Sequence, residues 1–451
     1  MQRSNKNATI KSFKKSSTDL CNSKYLLSSK GNINFLKYSL MDFIQDDEID
    51  NMSIKDRASV FSSFLKDCAD RKYYQYRRES LTGAGPIMTI RDMYSKKEVE
   101  MINLASNDYL NLTKHPKVIS AGVEAIKKYG SGAGSVPLLS GTLDIHKELE
   151  QKTAALKGCE SSIIFTSGFG ANVALLSTLL RKNDVAVMDM FVHASLIEGC
   201  KNTNKLFFRH NNMDSLEKVL EKASKKHKNI IVVVDGVYSM DGDIARLDEI
   251  NKIAHSYNAL VMVDEAHATG VVGKTGKGTP EHFNIEGKVD IVAGTFSKAL
   301  GGVGGFVATS KDIVSYLEFL ARPYMFSTAP APSVTASLIE AINVFQTESE
   351  LREKLWRNIN YFKKNLIDLG FDLGNSETAI FPIIIGDPYK VHEICKCMHE
   401  SKVFVNPVVY PAVPARLSRI RMSICAGLEI HHLDKVLELI ETFGKKYGVI
   451  K

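Results

Sequence analysis

A chain of 451 residues, 44% apolar and 24% charged, is too long for one compact core and has ample apolar content for two or three domains. Its net charge of +7 is modest for that length, and the first thirty residues, with seven Lys or Arg against one Asp, supply most of it. The nearly neutral remainder argues against a dedicated nucleic-acid binder, and no run of eighteen apolar residues is present to span a membrane.

Residues 1–32 are rich in Ser, Lys and Asn, have little to bury, and read as disordered. They lack the apolar stretch of a secretory signal; their basic, acid-poor make-up leaves an organelle transit peptide as the alternative to a cytoplasmic protein. Ile33, Leu36, Leu40 and Phe43 or Ile44 then recur at helical spacing, ending in Asp46-Asp47-Glu48. This short amphipathic segment reads as a packed helix, the alternative being peripheral contact with a membrane surface. A helix is expected from Ser53 to about Arg78, followed by a two-stranded region turning at Ser95-Lys96-Lys97 and a strand from Ile102 to Ala105.

The glycines and serines between Tyr129 and Thr142 mark a long irregular connection, and Ile145–Leu156 a helix. Alternation follows. Strands Ser162–Thr166, Val185–Met188, Leu206–Phe208, Ile230–Val234 and Leu260–Val263 are separated by helices Ala171–Leu180, Ala194–Cys200, Met213–Ala223 and Leu247–Ser256. Solidly apolar strands alternating with helices specify an α/β fold with a mainly parallel sheet covered on both faces, so reactive groups belong at the strand ends.

The stretch Asp290–Phe306 presents Lys298 after a buried strand and before a loop with glycines at 301, 302, 304 and 305. Burying an ammonium without a partner is expensive, so one reading is a lysine that forms an imine with an aldehyde cofactor. The alternatives are a surface lysine on a glycine-rich turn or a nucleotide loop, although neither GxGxxG nor GxxxxGK[ST] fits these residues. Ser167-Gly168-Phe169-Gly170, between a strand and a helix, offers amides for a phosphate or is an ordinary turn. Asp264 ends an apolar run and could hold a pyridine nitrogen protonated, or cap a helix. His267 could reach a ring oxygen, and His193 could stack on a ring or be structural. Seven scattered cysteines read as reduced thiols. His392, Cys395, Cys397 and His399 cannot all share one helical face, so no metal is expected.

The motifs SNDYL (106–110), SGTLDIHKELE (140–150), SGFGAN (167–172), HASLIEG (193–199), DGVYSMDGD (235–243), DEAHATG (264–270), GTFSKALGG (294–302), FSTAPAP (326–332) and RIRMSICAG (419–427) stand in the order found in the α-oxoamine synthases. Over residues 60–447 the chain resembles these pyridoxal-phosphate enzymes. The resemblance implies a fold-type-I transferase with a seven-stranded sheet, a smaller C-terminal α+β domain, and a homodimer with active sites at the interface. Segments are expected at 1–52 (extension), 53–105 (arm), 106–335 (large domain) and 336–451 (small domain).

By motif, Lys298 resembles the imine lysine, Asp264 the partner of the pyridine nitrogen, His267 the contact to the ring oxygen and His193 the stacking histidine. Gly168, Phe169, Ser239 and Thr295 resemble the phosphate and ring pocket. Ser327 and Thr328 match positions that reach the phosphate of the neighbouring subunit, and Asn107 and Arg421 the groups that hold an amino-acid carboxylate.

The implied reaction is decarboxylative condensation of an amino acid with an acyl-CoA. Asp235 and Val408 depart from the 8-amino-7-oxononanoate synthases, and Asn406-Pro407-Val408-Val409 resembles bacterial serine palmitoyltransferases. The expectation is therefore a long-chain, serine palmitoyltransferase-like enzyme of lipid metabolism. The alternatives are 8-amino-7-oxononanoate synthase, 5-aminolevulinate synthase and glycine C-acetyltransferase. An aminotransferase would share Lys298 and Asp264 but not the histidine pair and acyl-transfer motifs; a non-catalytic partner subunit would lack the lysine.

Overall fold

Strands that are apolar on both faces can only be satisfied inside a layered molecule, and such strands form the interior of a seven-stranded central sheet. In the computed structural model, which describes residues 39–451, an antiparallel hairpin comes first. β1 (Glu79–Ser80) pairs with β2 (Ile87–Arg91), and β2 with β3 (Glu98–Asn103). Lys96 takes φ 59° at the expected turn. The sheet itself comprises β4 (Ser161–Phe165), β5 (Val185–Asp189), β6 (Asn204–Phe208), β7 (Ile230–Asp235), β8 (Leu260–Asp264), β9 (Ile291–Thr295) and β10 (Gly305–Thr309).

Its order is β4-β10-β9-β8-β7-β5-β6. β5 through β9 run parallel, while β10 lies antiparallel between β9 and β4 because the chain reverses directly after Thr295. Asp235 and Asp264 are paired residues at the ends of β7 and β8. Their side chains therefore leave the sheet on the same face, at the edge where the parallel strands end.

A smaller sheet follows, with β11 (Ile380–Ile384), β13 (Asn406–Val408) and β14 (Arg419–Ser423) in the order β11-β14-β13, all antiparallel. The two-residue β12 (Val403–Phe404) instead joins the N-terminal hairpin by pairing parallel with β3. Helices Ser349–Asp368, Pro388–Glu400 and Ile430–Lys446 accompany this sheet. Its buried Phe381, Ile383, Ile420 and Met422 share one apolar core with Val232, Val261 and Phe306 of the large sheet.

The helix expected to reach Arg78 spans Ile54–Asp70. Lys72 adopts φ 61°, which ends the helix, and Tyr73–Arg78 continue without regular structure. Of the amphipathic segment, Ile33 and Leu36 lie outside the described residues, as do residues 1–32; Phe43 sits in the short helix Asp42–Gln45 and meets Phe61 and Phe64 at ring separations of 5.0 Å. No helix among the described residues is long and apolar enough to cross a membrane.

Candidate active site

β9 is buried throughout and ends at Thr295, after which the Phe296 amide donates to Gly304 O and the Gly302 amide to Phe296 O, each at 3.0 Å. These bonds close a loop that carries Lys298. Gly301 has φ 68°, and a Cβ there would sit 2.8 Å from the Thr113 nitrogen, so the turn needs glycine. Lys298 Nζ makes no hydrogen bond or ion pair with any described residue. Burial pulls its pKa down to about 8, and the nearby carboxylates of Asp264 and Asp235 offset only part of that effect.

Asp264 Oδ1 accepts from the Ala266 amide at 2.9 Å and Oδ2 from Asn172 Nδ2 at 2.7 Å. Asn172 Nδ2 also donates to Ser195 Oγ at 2.9 Å, so both amide hydrogens are used. Asp264 has no ion-pair partner among the described residues. Its neighbour Asp235 is pushed well above the usual carboxylate range, first by burial and then by the charge of Asp264. Asp235 is thereby biased toward its protonated form. The His193 amide donates to Asp235 Oδ1 at 3.3 Å, and His193 Nδ1 lies 2.7 Å from Ser195 Oγ. The exposed His193 ring meets Phe169 edge-on at 6.3 Å.

On the other side, Tyr109 Oη is 2.7 Å from His267 Nδ1 and 3.3 Å from Asn107 Oδ1. Arg421 Nη2 donates to the same Asn107 oxygen at 3.2 Å, and Arg421 Nε to Ser239 O at 2.8 Å. Burial, reinforced by the charges of Lys298 and Arg421, holds His267 neutral. Burial likewise raises the Tyr109 phenol to about 12, so it stays protonated and donates to the closer acceptor, Nδ1. The remaining imidazole hydrogen is then on Nε2. Buried Arg419 secures the Ser239 loop from the same strand, donating to Asp241 Oδ1 at 2.7 Å and Met240 O at 3.0 Å.

Helix Gly168–Leu179 begins beside these groups, capped by Ser167 Oγ, which accepts from the Gly170 amide at 2.9 Å. The amides of Gly168 and Phe169 precede any partner within the helix and carry its positive dipole end. A Cβ on Gly168 would lie 2.7 Å from Thr295 Cβ, and one on Gly305 would lie 2.5 Å from Gly168 Cα. Two backbone segments therefore meet with no room for side chains, forming a cradle of amides.

The structure brings Lys298, Asp264, His267, His193, Asn107, Arg421, Ser239, Thr295, Gly168 and Phe169 into one connected region. It does not bring Ser327 and Thr328 there within one protomer. They follow the short helix Arg322–Met325, with Thr328 exposed and the Ala329 amide bonded to Ser135 O. Sequence reasoning passed over Tyr109 and Asn172, although both stand inside quoted motifs; Asn172, one turn into the helix, faces the strand end by helical periodicity.

His392 stacks on Tyr73, Cys395 is buried, and His399 bonds Asp92, so these residues do not converge; no metal-ligand cluster occurs among the described residues.

Residues 99–440 match the family of class I and II aminotransferases. An 8-amino-7-oxononanoate synthase from Thermoanaerobacter pseudethanolicus is 44% identical over 353 residues, covering 78% of this chain and 89% of that protein. The one from Bacillus pumilus is 42% identical over 387 residues, covering 84% and 98%. Among solved structures, a serine palmitoyltransferase from S. paucimobilis with bound PLP superposes with a TM-score of 0.83 at 32% identity, covering 88% of this chain and 100% of that one.

Proposed function

The chain belongs to the α-oxoamine synthases, within the class I and II aminotransferase family, and on that premise we propose that it is an 8-amino-7-oxononanoate synthase, joining L-alanine to a pimeloyl thioester. The coarser activity is that of the family: a pyridoxal-phosphate-dependent acyltransferase that condenses an amino acid with an acyl-CoA and releases carbon dioxide. The finer reading rests on the 44% identity that extends over 89% of a curated 8-amino-7-oxononanoate synthase. The product name carries the substrates, because a nine-carbon 8-amino-7-oxo acid is a pimeloyl chain attached to the two carbons that alanine keeps after losing its carboxylate.

The residues present fit the cofactor. Lys298 offers an unpartnered amine, Asp264 a carboxylate without an ion-pair partner among the described residues, and the helix starting at Gly168 the free amides of Gly168 and Phe169. Pyridoxal phosphate, when bound, supplies an aldehyde that condenses with primary amines and a ring that accepts electron density from the amino acid's α-carbon.

The Gly168 and Phe169 amides, with Thr295, would hold the phosphate, and Asp264 would favour positive charge at the ring nitrogen. His193 would cover the ring, and His267 would offer its Nε2–H to a ring oxygen. Arg421, with Asn107, holds the amino-acid carboxylate. Lys298 Nζ, with a pKa near 8, has a neutral fraction at physiological pH and takes the α-proton. The α-carbon then bonds to the thioester carbonyl carbon as the C–S bond breaks, the thiolate leaves and takes a proton from solvent as CoA, the carboxylate leaves as carbon dioxide, and the proton held by Lys298 returns to the α-carbon. Exposed Val303, Leu139 and Phe326, near the lysine loop and Ser327, support a second copy covering the mouth as a homodimer.

The test is product analysis of the holoenzyme with L-alanine and pimeloyl-CoA. CoA and carbon dioxide should appear in equal amounts, with the nine-carbon amino ketone identified by mass. A serine and palmitoyl-CoA arm tests the second reading, supported by the serine palmitoyltransferase superposition and the buried, apolar Val408. Faster turnover in that arm would replace the proposal with the long-chain assignment.

A further inference from the structure

Arg78 is a buried cation with no carboxylate in contact among the described residues, an arrangement that is costly unless the charge is used. Its guanidinium lies 3.3 Å over the Phe404 ring. Nη2 donates to Val405 O at 2.6 Å and Asn406 Oδ1 at 2.9 Å, while Nη1 reaches Gln75 Oε1 at 3.3 Å and His399 Nδ1 at 3.2 Å. His399 Nε2 lies 2.9 Å from Asp92 Oδ1, so a neutral imidazole that accepts from Arg78 and donates to Asp92 connects the cation to an anion one ring away.

All of this converges on β13. That strand has three residues, one of them Pro407, and among the described residues it lies at the edge of its sheet, paired with β14 alone. So short an edge, missing a donor at the proline, is weakly held from one side. The arm supplies the other side: Arg78 bonds Val405 and Asn406, and Tyr76 Oη donates to Pro407 O at 3.2 Å. Three consecutive residues are thus tied down by side chains from a segment more than three hundred positions earlier. Across the pairing, Asn406 stands opposite Arg421.

We infer that Arg78 is a positioning residue for amino-acid binding: its fork, with the Tyr76 hydroxyl, fixes β13 and thereby the strand that aims Arg421 at the substrate carboxylate. This rests on the reading of Arg421 given above. The experiment is a titration of the holoenzyme with L-alanine, followed by cofactor absorbance, alongside separate KM values for alanine and pimeloyl-CoA.

Arg78→Met should raise the alanine Kd and KM about tenfold, with the thioester KM and kcat held within about twofold. Arg78→Lys, which keeps the charge but loses the fork, should recover only part of that loss. Tyr76→Phe removes one surface hydroxyl without threatening the fold and should raise the alanine Kd about threefold.

Arg421→Ala is measured in parallel. If it leaves alanine binding unchanged, the carboxylate reading fails; if it weakens alanine while Arg78→Met and Tyr76→Phe do not, only the present inference fails. Equal losses for both substrates in Arg78→Met would make the residue a general structural support and overturn the proposal. Should Arg78→Met not fold, Arg78→Lys and Tyr76→Phe decide by the same criteria.

Discussion

Replacing His210 with Gln should destabilise the protein in a way that depends on pH. His210 Nδ1 lies 3.0 Å from Asp189 Oδ1 and Nε2 lies 2.8 Å from Asp243 Oδ2, and both carboxylates are buried. The ring stacks on Phe191 at 4.4 Å and meets Tyr238 edge-on at 4.4 Å. Burial by itself would drive the second proton off, but the two carboxylates outweigh it and raise the pKa from 6.5 to about 10. The imidazolium is a clamp between the end of β5, which leads to His193, and the Ser239–Asp243 loop, which accepts Arg421.

A pKa raised on folding contributes stability that is fully present below 6.5 and is lost as pH climbs through about 10. At about 1.4 kcal/mol per pKa unit the ceiling is about 5 kcal/mol, and removing one member of a buried ion pair ordinarily costs about 3–5 kcal/mol. Gln keeps a donor and an acceptor, so the expected loss is about 3 kcal/mol at pH 6, shrinking below about 1 kcal/mol above pH 10. Urea unfolding followed by fluorescence of the single tryptophan, Trp356, reads this directly. A difference between wild type and variant that is the same at pH 6 and pH 10.5 would refute the imidazolium clamp.

Lys298→Ala should leave the fold intact by circular dichroism while abolishing borohydride-trapped cofactor and lowering turnover by at least about a thousandfold. Gly168→Ala places a Cβ 2.7 Å from Thr295 Cβ, so it should weaken cofactor retention at least about tenfold in equilibrium dialysis, through lost amide contacts to the phosphate. Wild-type retention in that variant would remove the cradle from the phosphate site.

How much was legible in the sequence follows from range. Strands such as Ile230–Asp235 and Leu260–Asp264 are apolar at every position before the terminal aspartate because both faces are covered, and that local property specified the layered α/β fold. The glycines around Lys298 and the strand-end Asp264 carry their chemistry in adjacent residues, so their candidacy was also legible. The early end of the helix at Asp70 was not, because nothing in the run from Tyr73 to Arg78 forbids helix locally. Its contacts are with Val405, Asn406 and Pro407, and those side chains leave the helical path to reach them.

Protonation states were likewise decided by tertiary structure. Asp235 is pushed toward its protonated form because it is buried and β7 sets it in register beside Asp264, His210 is a cation because Asp189 at the end of β5 and Asp243 in the loop after β7 meet it from two sides, and His267 presents Nε2–H because Tyr109 occupies Nδ1. The sequence by itself determined which residue types stand at the strand ends, since hydrophobic periodicity is written into neighbouring positions. Only the tertiary structure decided their charges and hydrogens, because a charge in a buried site depends on groups that folding brings within a few ångströms from distant parts of the chain.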